Sequence, residues 1–369
     1  MVPGKPPRED GLVIPRANRK QRRPLSNIES VENSSQPSTD LRISVVVPVK
    51  DEQNSVGVLL EALLSQTLAP NEIVITDGGS NDGTIEIVES FLRDGAPIKL
   101  IREQSALPGR GRNVGVRHAA HDWIAFTDAG NKPAPDWLAQ LAAKVRDRSG
   151  VDVVYGSYQP VIDSFFKECA AIAYVPSPAV IEGSLTRPRF IASTLMHRRV
   201  WQAVDGFPEH LRSAEDLLFL KKVDQEKFGS SRAPNAIVDW DIQPNLRRTF
   251  KRFVIYARNN MRAGLWREWQ AAIVLRYGLI LTTTIPAIWL GLPWLFVPIL
   301  IWLGLILARS IIALRRNRYC YPAGRWRNLA RLFLLVPIIS VLDAAALIGN
   351  INWLIFDKIG LNRELEPEK

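Results

Sequence analysis

Four short segments of the sequence combine acidic residues with strand-like apolar runs or with glycine, in the way that reactive centres often do. In chain order they are Val46-Val47-Pro48-Val49-Lys50-Asp51-Glu52, Asp77-Gly78-Gly79-Ser80-Asn81-Asp82-Gly83-Thr84, Phe126-Thr127-Asp128-Ala129-Gly130 and Ala214-Glu215-Asp216-Leu217. A carboxylate can hold a divalent cation or take a proton from a hydroxyl group. These segments form the candidate reactive centre, provided that the fold brings them together.

The first part of the chain predicts an alternation of strands and helices. Strands are expected over 43–47, 72–76, 98–101 and 123–127, and helices over 55–64, 84–92 and 111–120. This order predicts an α/β fold with a parallel, doubly wound sheet. Ligands of such sheets bind beyond the carboxyl ends of the strands, where Pro48, Asp77 and Asp128 are placed. We therefore expect the acids at 77, 128 and 216 to converge at one edge of the sheet.

The following region, 155–240, is less regular. It predicts a helix over 214–226 and a short strand over 234–238. Glu215 and Asp216 at a helix start would point in different directions, because adjacent helical residues do not share a face. A basic, aromatic-rich helix is predicted over 245–269, and it either packs on its own domain or lies at a membrane interface.

In order and spacing, the four segments together resemble the family 2 glycosyltransferases, inverting enzymes that use nucleotide-diphospho sugars. The resemblance covers about residues 42–265 and includes Gly111-Arg112-Asn113-Val114-Gly115, Gly206-Phe207-Pro208-Glu209 and Tyr256-Ala257-Arg258. It implies a GT-A catalytic domain with a Rossmann-like, mostly parallel sheet. Transmembrane helices are expected to follow this domain.

The resemblance also implies roles for individual residues. Asp77 matches the residue that reads the donor base, and its carboxylate could accept the N3–H of uracil. Asp216 matches the catalytic base that deprotonates the acceptor, with Glu215 beside it. Asp82 is assigned to a turn or a helix start. The remaining residues expected to contact the donor are Pro48, Val49, Glu52, Gly78, Gly79, Arg112, Asn113 and Asp128.

A divalent cation, Mg²⁺ or Mn²⁺, is expected from the resemblance, because Asp128 matches the first acid of the Asp-x-Asp element of the family. The third position of that element is Gly130 here, so the second carboxylate is missing. Three arrangements stay open: Asp128 holds the metal alone with water and phosphate, Asn131 helps, or Arg112 neutralises the phosphates instead. The metal requirement is therefore in doubt.

Single-sugar transfer is expected rather than polymer synthesis. The processive synthases of this family carry a Gln-x-x-Arg-Trp element after the Glu-Asp pair, and this sequence contains none. The segment Gly324-Arg325-Trp326 lacks the Gln and follows the apolar region. The expected activity is transfer of one sugar to a lipid-linked or membrane-embedded acceptor. The alternative is a non-catalytic membrane scaffold that retains the fold and binds nucleotide sugars.

Composition excludes several other classes of protein. The 369 residues include 47 Lys and Arg against 37 Asp and Glu, for a net charge of +10. The two cysteines, Cys169 and Cys320, lack CxxC spacing, which excludes a disulfide scaffold and a cysteine-based zinc site. No nucleic-acid-binding signature occurs, and the positive charge brackets apolar runs between Asn245 and Arg331. A membrane is the expected partner, and nucleic acid is not.

The apolar region predicts a membrane hairpin. Residues Tyr277 to Ala308 form 32 consecutive positions without a formal charge, with arginines before and after them. The positive-inside rule favours a hairpin that begins and ends in the cytoplasm and turns near Gly291-Leu292-Pro293. A third apolar stretch, 332–356, contains Asp343, Asn350 and Asn352. Whether it crosses the membrane stays open.

The predicted organisation is a multi-pass membrane protein with its catalytic domain facing the cytoplasm. Its parts are a disordered tail (1–40), the GT-A domain (41–244), a basic amphipathic juxtamembrane helix (245–275), a transmembrane hairpin (276–314), a basic cytoplasmic loop (315–331), a third apolar membrane segment (332–356) and a polar tail (357–369).

Overall fold

A computed structural model describes residues 41–181 and 184–360 of the chain. The tail predicted over 1–40 and most of the polar tail predicted over 357–369 lie outside the described residues.

A mixed sheet of eight strands forms the centre of the α/β domain, in the order β3-β2-β1-β4-β9-β6-β10-β5. The strands are β1 (Ile43–Val49), β2 (Glu72–Asp77), β3 (Ile98–Arg102), β4 (Trp123–Phe126), β5 (Asn131–Pro133), β6 (Val153–Pro160), β9 (Thr194–His197) and β10 (Ser230–Trp240). A separate two-stranded sheet pairs β7 (Ala179–Ile181) with β8 (Ser184–Thr186). Four of the seven pairings in the main sheet are parallel. The expected α/β architecture is confirmed.

Helices cover both faces of the sheet, which explains why β1 is apolar from Val45 to Val49. Val45 and Val47 pack on one side, in a cluster that includes residues of α1 and α4. Val46 packs on the other side with residues of α3 and α7. A strand buried on both faces has no solvent side that needs polar residues. These helices are α1 (Val56–Leu64), α2 (Thr84–Arg93), α3 (Pro108–His118), α4 (Trp137–Arg146), α5 (Phe165–Tyr174), α6 (Arg198–Ala203) and α7 (Glu215–Gln225).

The region expected to be irregular, 155–240, in fact contributes much of the sheet. Strand β9 has four residues and runs antiparallel to both of its neighbours, β4 and β6. Strand β10 extends well beyond the predicted 234–238, with a shift of register between Arg232 and Ile237 that brackets Pro234. Short strands held by long-range pairing and bulges carry little local signal in the sequence.

The basic helix predicted over 245–269 is interrupted. Helix α8 (Leu246–Arg262) ends before Gly264, which has a φ of +72° in the left-handed region. The short helix α9 (Trp266–Trp269) follows. Glycine adopts this conformation without the steric cost of a side chain, so Gly264 is a suitable point for the chain to turn.

Three helices at the end of the described chain are long and apolar enough to cross a membrane. They are α10 (Ala271–Leu290), α11 (Phe296–Arg316) and α12 (Arg325–Asn352), the last continued by a π-helical segment, Trp353–Lys358. Gly291, with a φ of +100°, and a 3₁₀ turn at Leu292–Leu295 join α10 to α11. The two helices form a hairpin that turns at the predicted position.

Candidate active site

The carboxyl ends of β2, β1 and β4 lie side by side and carry the predicted donor-binding residues. Asp77 pairs with Val49 at the end of β1, and Phe126, two residues before Asp128, pairs with Val46. Two inter-strand spacings separate β2 from β4, or about 10 Å. The positions of Asp77 and Asp128 therefore suit the two ends of one extended ligand.

The Asp77 carboxylate holds the turn that follows β2. It is buried and accepts hydrogen bonds from the backbone N–H groups of Gly79, at 3.0 Å, and Ser80, at 3.1 Å. This Asx-type turn fixes the direction of the carboxylate at the end of the strand. Asp82 lies just before the start of α2 and accepts a hydrogen bond from the backbone N–H of Thr84 at 3.0 Å.

Glycines bring the loops of this edge close together. The Gly78 N–H donates to the Val49 carbonyl at 2.8 Å. A Cβ on Gly78 would lie 2.6 Å from the Ala106 carbonyl oxygen, which only glycine avoids. Gly79 has a φ of +86°, in the left-handed region. The predicted glycines therefore shape the loop, and a backbone without side chains is what a phosphate or a base can approach closely.

Arg112 is the centre of the site. Its guanidinium donates to Asp128 Oδ1 at 2.7 Å and to Glu215 Oε1 at 2.7 Å, and its side chain is only 4% exposed. These contacts join three elements that are distant in sequence: α3, the end of β4 and the start of α7. The flanking carboxylates hold the pKa of Arg112 above its usual value against the effect of burial.

Two glycines in α3 allow Arg112 to reach this position. A Cβ on Gly111 would lie 3.0 Å from Pro48 Cβ, and one on Gly115 would lie 2.4 Å from Val46 Cγ1. The helix therefore packs against the end of β1 at a distance that a larger residue would prevent. Close packing against β1 thus explains the glycines at positions 111 and 115.

Asn113 holds the loop that leads towards α7. Its amide nitrogen donates to the Phe207 carbonyl and to Glu209, and its Oδ1 accepts from the Phe207 N–H and from Trp201 Nε1, all at 2.8–2.9 Å. These four bonds use the hydrogen-bonding capacity of an amide side chain. The structure thus places Asn113 as a positioning residue, where the resemblance implied a contact with the donor.

The Glu-Asp pair begins α7 directly after a strained residue. Ala214 has a φ of +68°, a left-handed conformation that is uncommon outside glycine and is often found at functional sites. Glu215 is buried, and its Oε2 has no partner among the residues that the structure describes. Asp216 remains partly accessible, and its Oδ1 accepts from the Leu217 N–H at 2.9 Å. Glu215 therefore holds Arg112 in place, and Asp216 is the more accessible acid of the pair.

The environment of Asp216 suits a proton acceptor. Burial, reinforced by the charge of Glu215, raises the pKa of Asp216 to about 7, although Arg112 opposes the rise. A general base works best when its pKa lies near the operating pH. The neighbouring charges thus prepare Asp216 for the role that the resemblance implies.

Helix α8 supplies residues that were not among the predicted site residues. Arg252 lies 5.7 Å from the centre of the Tyr256 ring and stabilises the ionised form of Glu52. Burial still raises the pKa of Glu52 overall. Burial also raises the pKa of Tyr256, and the charges of Asp216, Glu215 and Asp128 add to this rise. Tyr256 belongs to a motif that the resemblance included, but no local pattern in the sequence indicates that α8 lies beside these acids.

The carboxylates of this site fit a divalent cation only if a bound substrate supplies further ligands. Among the described residues, no three His, Cys, Asp or Glu side chains form a ready-made metal site. Arg112 bonds to one oxygen of Asp128, and 34% of the Asp128 side chain is exposed. Mg²⁺ is commonly bound by one or two carboxylates together with substrate phosphates. The site therefore fits a cation held by Asp128 and completed by a bound diphosphate.

Comparison with known proteins agrees with this geometry. The family described as "Glycosyl transferase family 2" matches residues 44–202, from β1 into α6. The chain carries a family 2 glycosyltransferase domain. The matched region includes Asp77, Arg112 and Asp128, whereas Glu215 and Asp216 follow it. The expected family is confirmed.

Curated relatives of this family 2 domain are distant in sequence. The glycosyltransferase AglE of Haloferax volcanii is 27% identical over 202 residues, covering 53% of this chain and 65% of the relative. The poly(ribitol-phosphate) beta-N-acetylglucosaminyltransferase TarS of Staphylococcus aureus is 29% identical over 191 residues, covering 49% of this chain and 32% of TarS. The matches therefore span only part of each relative.

Solved structures with similar folds include two transferases. The mannosyltransferase PcManGT of Pyrobaculum calidifontis, in complex with GDP-Man and Mn²⁺, superposes with a TM-score of 0.49 at 20% identity, covering 86% of this chain and 88% of that one. A fragment of S. aureus TarS in complex with UDP superposes with a TM-score of 0.48 at 18% identity, covering 88% and 94%.

Proposed function

We propose that this protein transfers a single sugar, with inversion, from a nucleotide-diphospho sugar to an acceptor that is linked to a lipid or embedded in a membrane. The observation that carries this proposal is the buried Arg112 bridge. It joins Asp128, at the strand edge where ligands bind, to the start of the helix that carries Asp216. The acid that would hold a cation and the acid that would act as base thus belong to one cluster, as a displacement of a diphosphate requires.

The donor would extend along the carboxyl edge of the sheet. Asp77 is positioned to accept a hydrogen bond from the base, and the loop of Gly78 and Gly79 allows close approach. The diphosphate would then lie towards Asp128 and Arg112, where a buried guanidinium can stabilise negative charge. This charge grows as the bond between the sugar and the phosphate breaks.

Asp128 would also hold a divalent cation, Mg²⁺ or Mn²⁺, which neutralises charge on the leaving diphosphate when it is bound. The mannosyltransferase neighbour was solved with Mn²⁺, which is consistent with this proposal. The contribution of this chain is to keep one Asp128 oxygen on Arg112, so that the carboxylate has a fixed orientation.

Asp216 would act as the catalytic base. Its carboxylate takes the proton from the acceptor hydroxyl, whose oxygen attacks the anomeric carbon. The bond from that carbon to the diphosphate oxygen breaks, and the nucleoside diphosphate leaves on the opposite face. One displacement inverts the configuration of the sugar, and no enzyme-bound intermediate is needed.

The rate should depend on pH in a way that reports on Asp216. Only the ionised carboxylate accepts a proton, and its pKa is raised to about 7. We therefore expect kcat/KM to be level above this value and to fall roughly tenfold for each pH unit below it. Initial rates between pH 5 and pH 9 measure the profile. A profile that stays level down to pH 5 would show that the base does not have this raised pKa.

A screen of nucleotide sugars tests the proposed activity. The full chain in membranes is incubated with each donor, membrane lipid extract and Mn²⁺, and release of the nucleoside diphosphate is measured. We expect at least one donor to give release that depends on the lipid extract. If every donor binds but none is cleaved, the protein is a scaffold that retains the fold.

The missing second acid of the metal element can be restored. A Cβ at Gly130 would meet no atom within 4 Å, so Gly130→Asp fits without strain. A second carboxylate should lower the Mn²⁺ concentration for half-maximal activity by about tenfold, or roughly 1.4 kcal/mol. Gly130→Asn, of the same size but uncharged, is the matched control. An equal response of both variants would argue against a cation at Asp128.

A further inference from the structure

Helix α12 contacts the catalytic domain near its beginning. Arg331 donates from Nε to Glu168 Oε1 at 2.7 Å, and Arg327 pairs with the same carboxylate. Glu168 is buried in α5, and its neighbours Ala170 and Ala171 belong to the core of the sheet. The first turns of α12 are therefore fixed to the catalytic domain.

The far end of the same helix contacts the catalytic domain again, through α8. A Cβ on Gly349 would lie 2.6 Å from Ala257 Cβ, so the two helices are in close contact. Beyond it, Arg258 Nε donates to Asp357 Oδ2 at 2.8 Å. Helix α8 is itself attached to the domain, since Asn259 Oδ1 accepts from the Arg212 N–H at 3.2 Å.

The distance between these contacts decides the orientation of α12. From Arg327 to Asp357 a helix rises about 45 Å, at 1.5 Å per residue. A helix that crosses a bilayer moves away from a domain on one side, because about 30 Å of hydrocarbon separates the two surfaces. One end of this segment contacts α5 of the domain and the other contacts α8, which is attached to the same domain, so the helix runs along one side of this assembly.

The middle of α12 contacts the open end of the hairpin that α10 and α11 form. Asp343 is buried and pairs with Arg309 of α11, while Arg276 of α10 lies 3.8 Å away. Arg276 lies near the start of α10 and Arg309 near the end of α11, so both lie at the open end of the hairpin. The apolar arms of the hairpin therefore extend away from α12.

The uncovered face of α12 is apolar along its length. Trp326 is 84% exposed and Phe333 is 75% exposed, and further exposed apolar residues recur at helical spacing, namely Leu329, Ile348, Ile351 and Leu354. Arg331 and Asp343 lie on the covered face, whereas Arg325 and Arg327 are exposed in the first turn. A helix on a water-exposed surface covers its apolar face and exposes its polar face, whereas α12 shows the reverse. Lipid suits such a face, which is continuous with the apolar hairpin.

We propose that α12 lies in the plane of the membrane surface, with this apolar face in the lipid, and does not cross the bilayer. The far end of this helical segment, at Lys358, then stays on the same side as the catalytic domain. Helix α8 lies between α12 and the acids of the active site, so the site would be held at the lipid surface. The inference rests on the membrane location in the proposed function, but it does not depend on sugar transfer.

Cysteine labelling of the full chain in sealed vesicles tests the proposal. Cys320 is exposed in the loop between α11 and α12, and Cys169 is buried. The native Cys320 reports the side of the catalytic domain, and Lys358→Cys in a Cys320→Ser background reports the far end of α12. We expect a membrane-impermeant maleimide to label both to the same fraction before detergent is added. If the maleimide labelled residue 358 only in vesicles where Cys320 is protected, the two residues would lie on opposite sides of the membrane. This result would overturn the proposal.

Depth measurements provide an independent test. Nitroxide labels at Phe333→Cys and Ile351→Cys, in the Cys320→Ser background, should report the same depth, and Leu292→Cys at the hairpin tip should lie deeper. A crossing helix would separate the first two by about 27 Å. If neither label were accessible to a lipid-soluble paramagnetic relaxation agent, this face would be covered by protein, which would contradict the proposal.

Release of the chain from vesicles by salt would contradict both the membrane location and this inference. If the chain stayed on the vesicles but residue 358 were labelled on the side opposite Cys320, only this inference would be contradicted.

Discussion

Replacing Asp216 with Asn should lower kcat by about 10²–10⁴-fold, while the dissociation constant of the nucleotide-sugar donor changes little. The amide has nearly the same shape as the carboxylate, but it cannot accept the proton of the acceptor hydroxyl. In the proposed binding mode the donor contacts the strand edge and Arg112, which the substitution leaves in place. Rates of nucleotide release and equilibrium binding of the donor, measured on the same preparation, separate the two effects.

A control on the same helix makes this result specific. Asp224 lies in α7, half exposed, and pairs with Arg189 away from the site. Asp224→Asn should leave kcat unchanged, because Asp224 lies away from the site. The fold should also be kept, since an ion pair that is partly exposed contributes little to stability. Turnover by Asp216→Asn at the rate of the Asp224→Asn control would show that another group removes the proton.

Replacing Arg112 with Met should destabilise the domain by about 3–5 kcal/mol, because it leaves the buried Glu215 carboxylate without its partner. For a domain of this size the expected fall in Tm is on the order of 10 °C. The affinity for the diphosphate of the donor should fall as well. Thermal unfolding of the full chain in detergent and donor titration measure the two losses.

Two further variants separate the lost ion pair from general damage. Arg110, on the same helix, is half exposed and pairs with Glu103, so Arg110→Met should change stability by less than about 1 kcal/mol. Adding Glu215→Gln to Arg112→Met removes the unpaired charge and should recover part of the stability, without restoring donor affinity. If the double variant unfolds as easily as the single one, the bridge is not the cause.

The first half of the fold could be predicted from the sequence because its signals are local. The strands that end at Val49 and Asp77 each contain an apolar run, over 45–49 and 73–75, and the helices that follow show regular spacing. The antiparallel strand Thr194–His197 carries no such signal. It is a strand because it pairs with β4 and β6, which lie far away in the sequence.

The candidate site was predicted in part for the same reason. Strand ends identified Asp77 and Asp128, and family motifs identified Asp216. Spacing alone could not show that Arg112 would contact both Asp128 and Glu215, since the three residues meet only in the folded chain. Hydropathy likewise identified the third apolar stretch, but it cannot show which face of that helix is covered by protein.

Ala214 has a consequence for attempts to engineer this protein. Its left-handed backbone stores about 1–2 kcal/mol that Ala214→Gly would release. Glycine would also give the peptide before Glu215 more conformations, and the aim of the next two side chains would loosen. A thermostabilised version obtained by this change would thus gain robustness at the expense of turnover, so improvements in expression are better sought at positions remote from this turn.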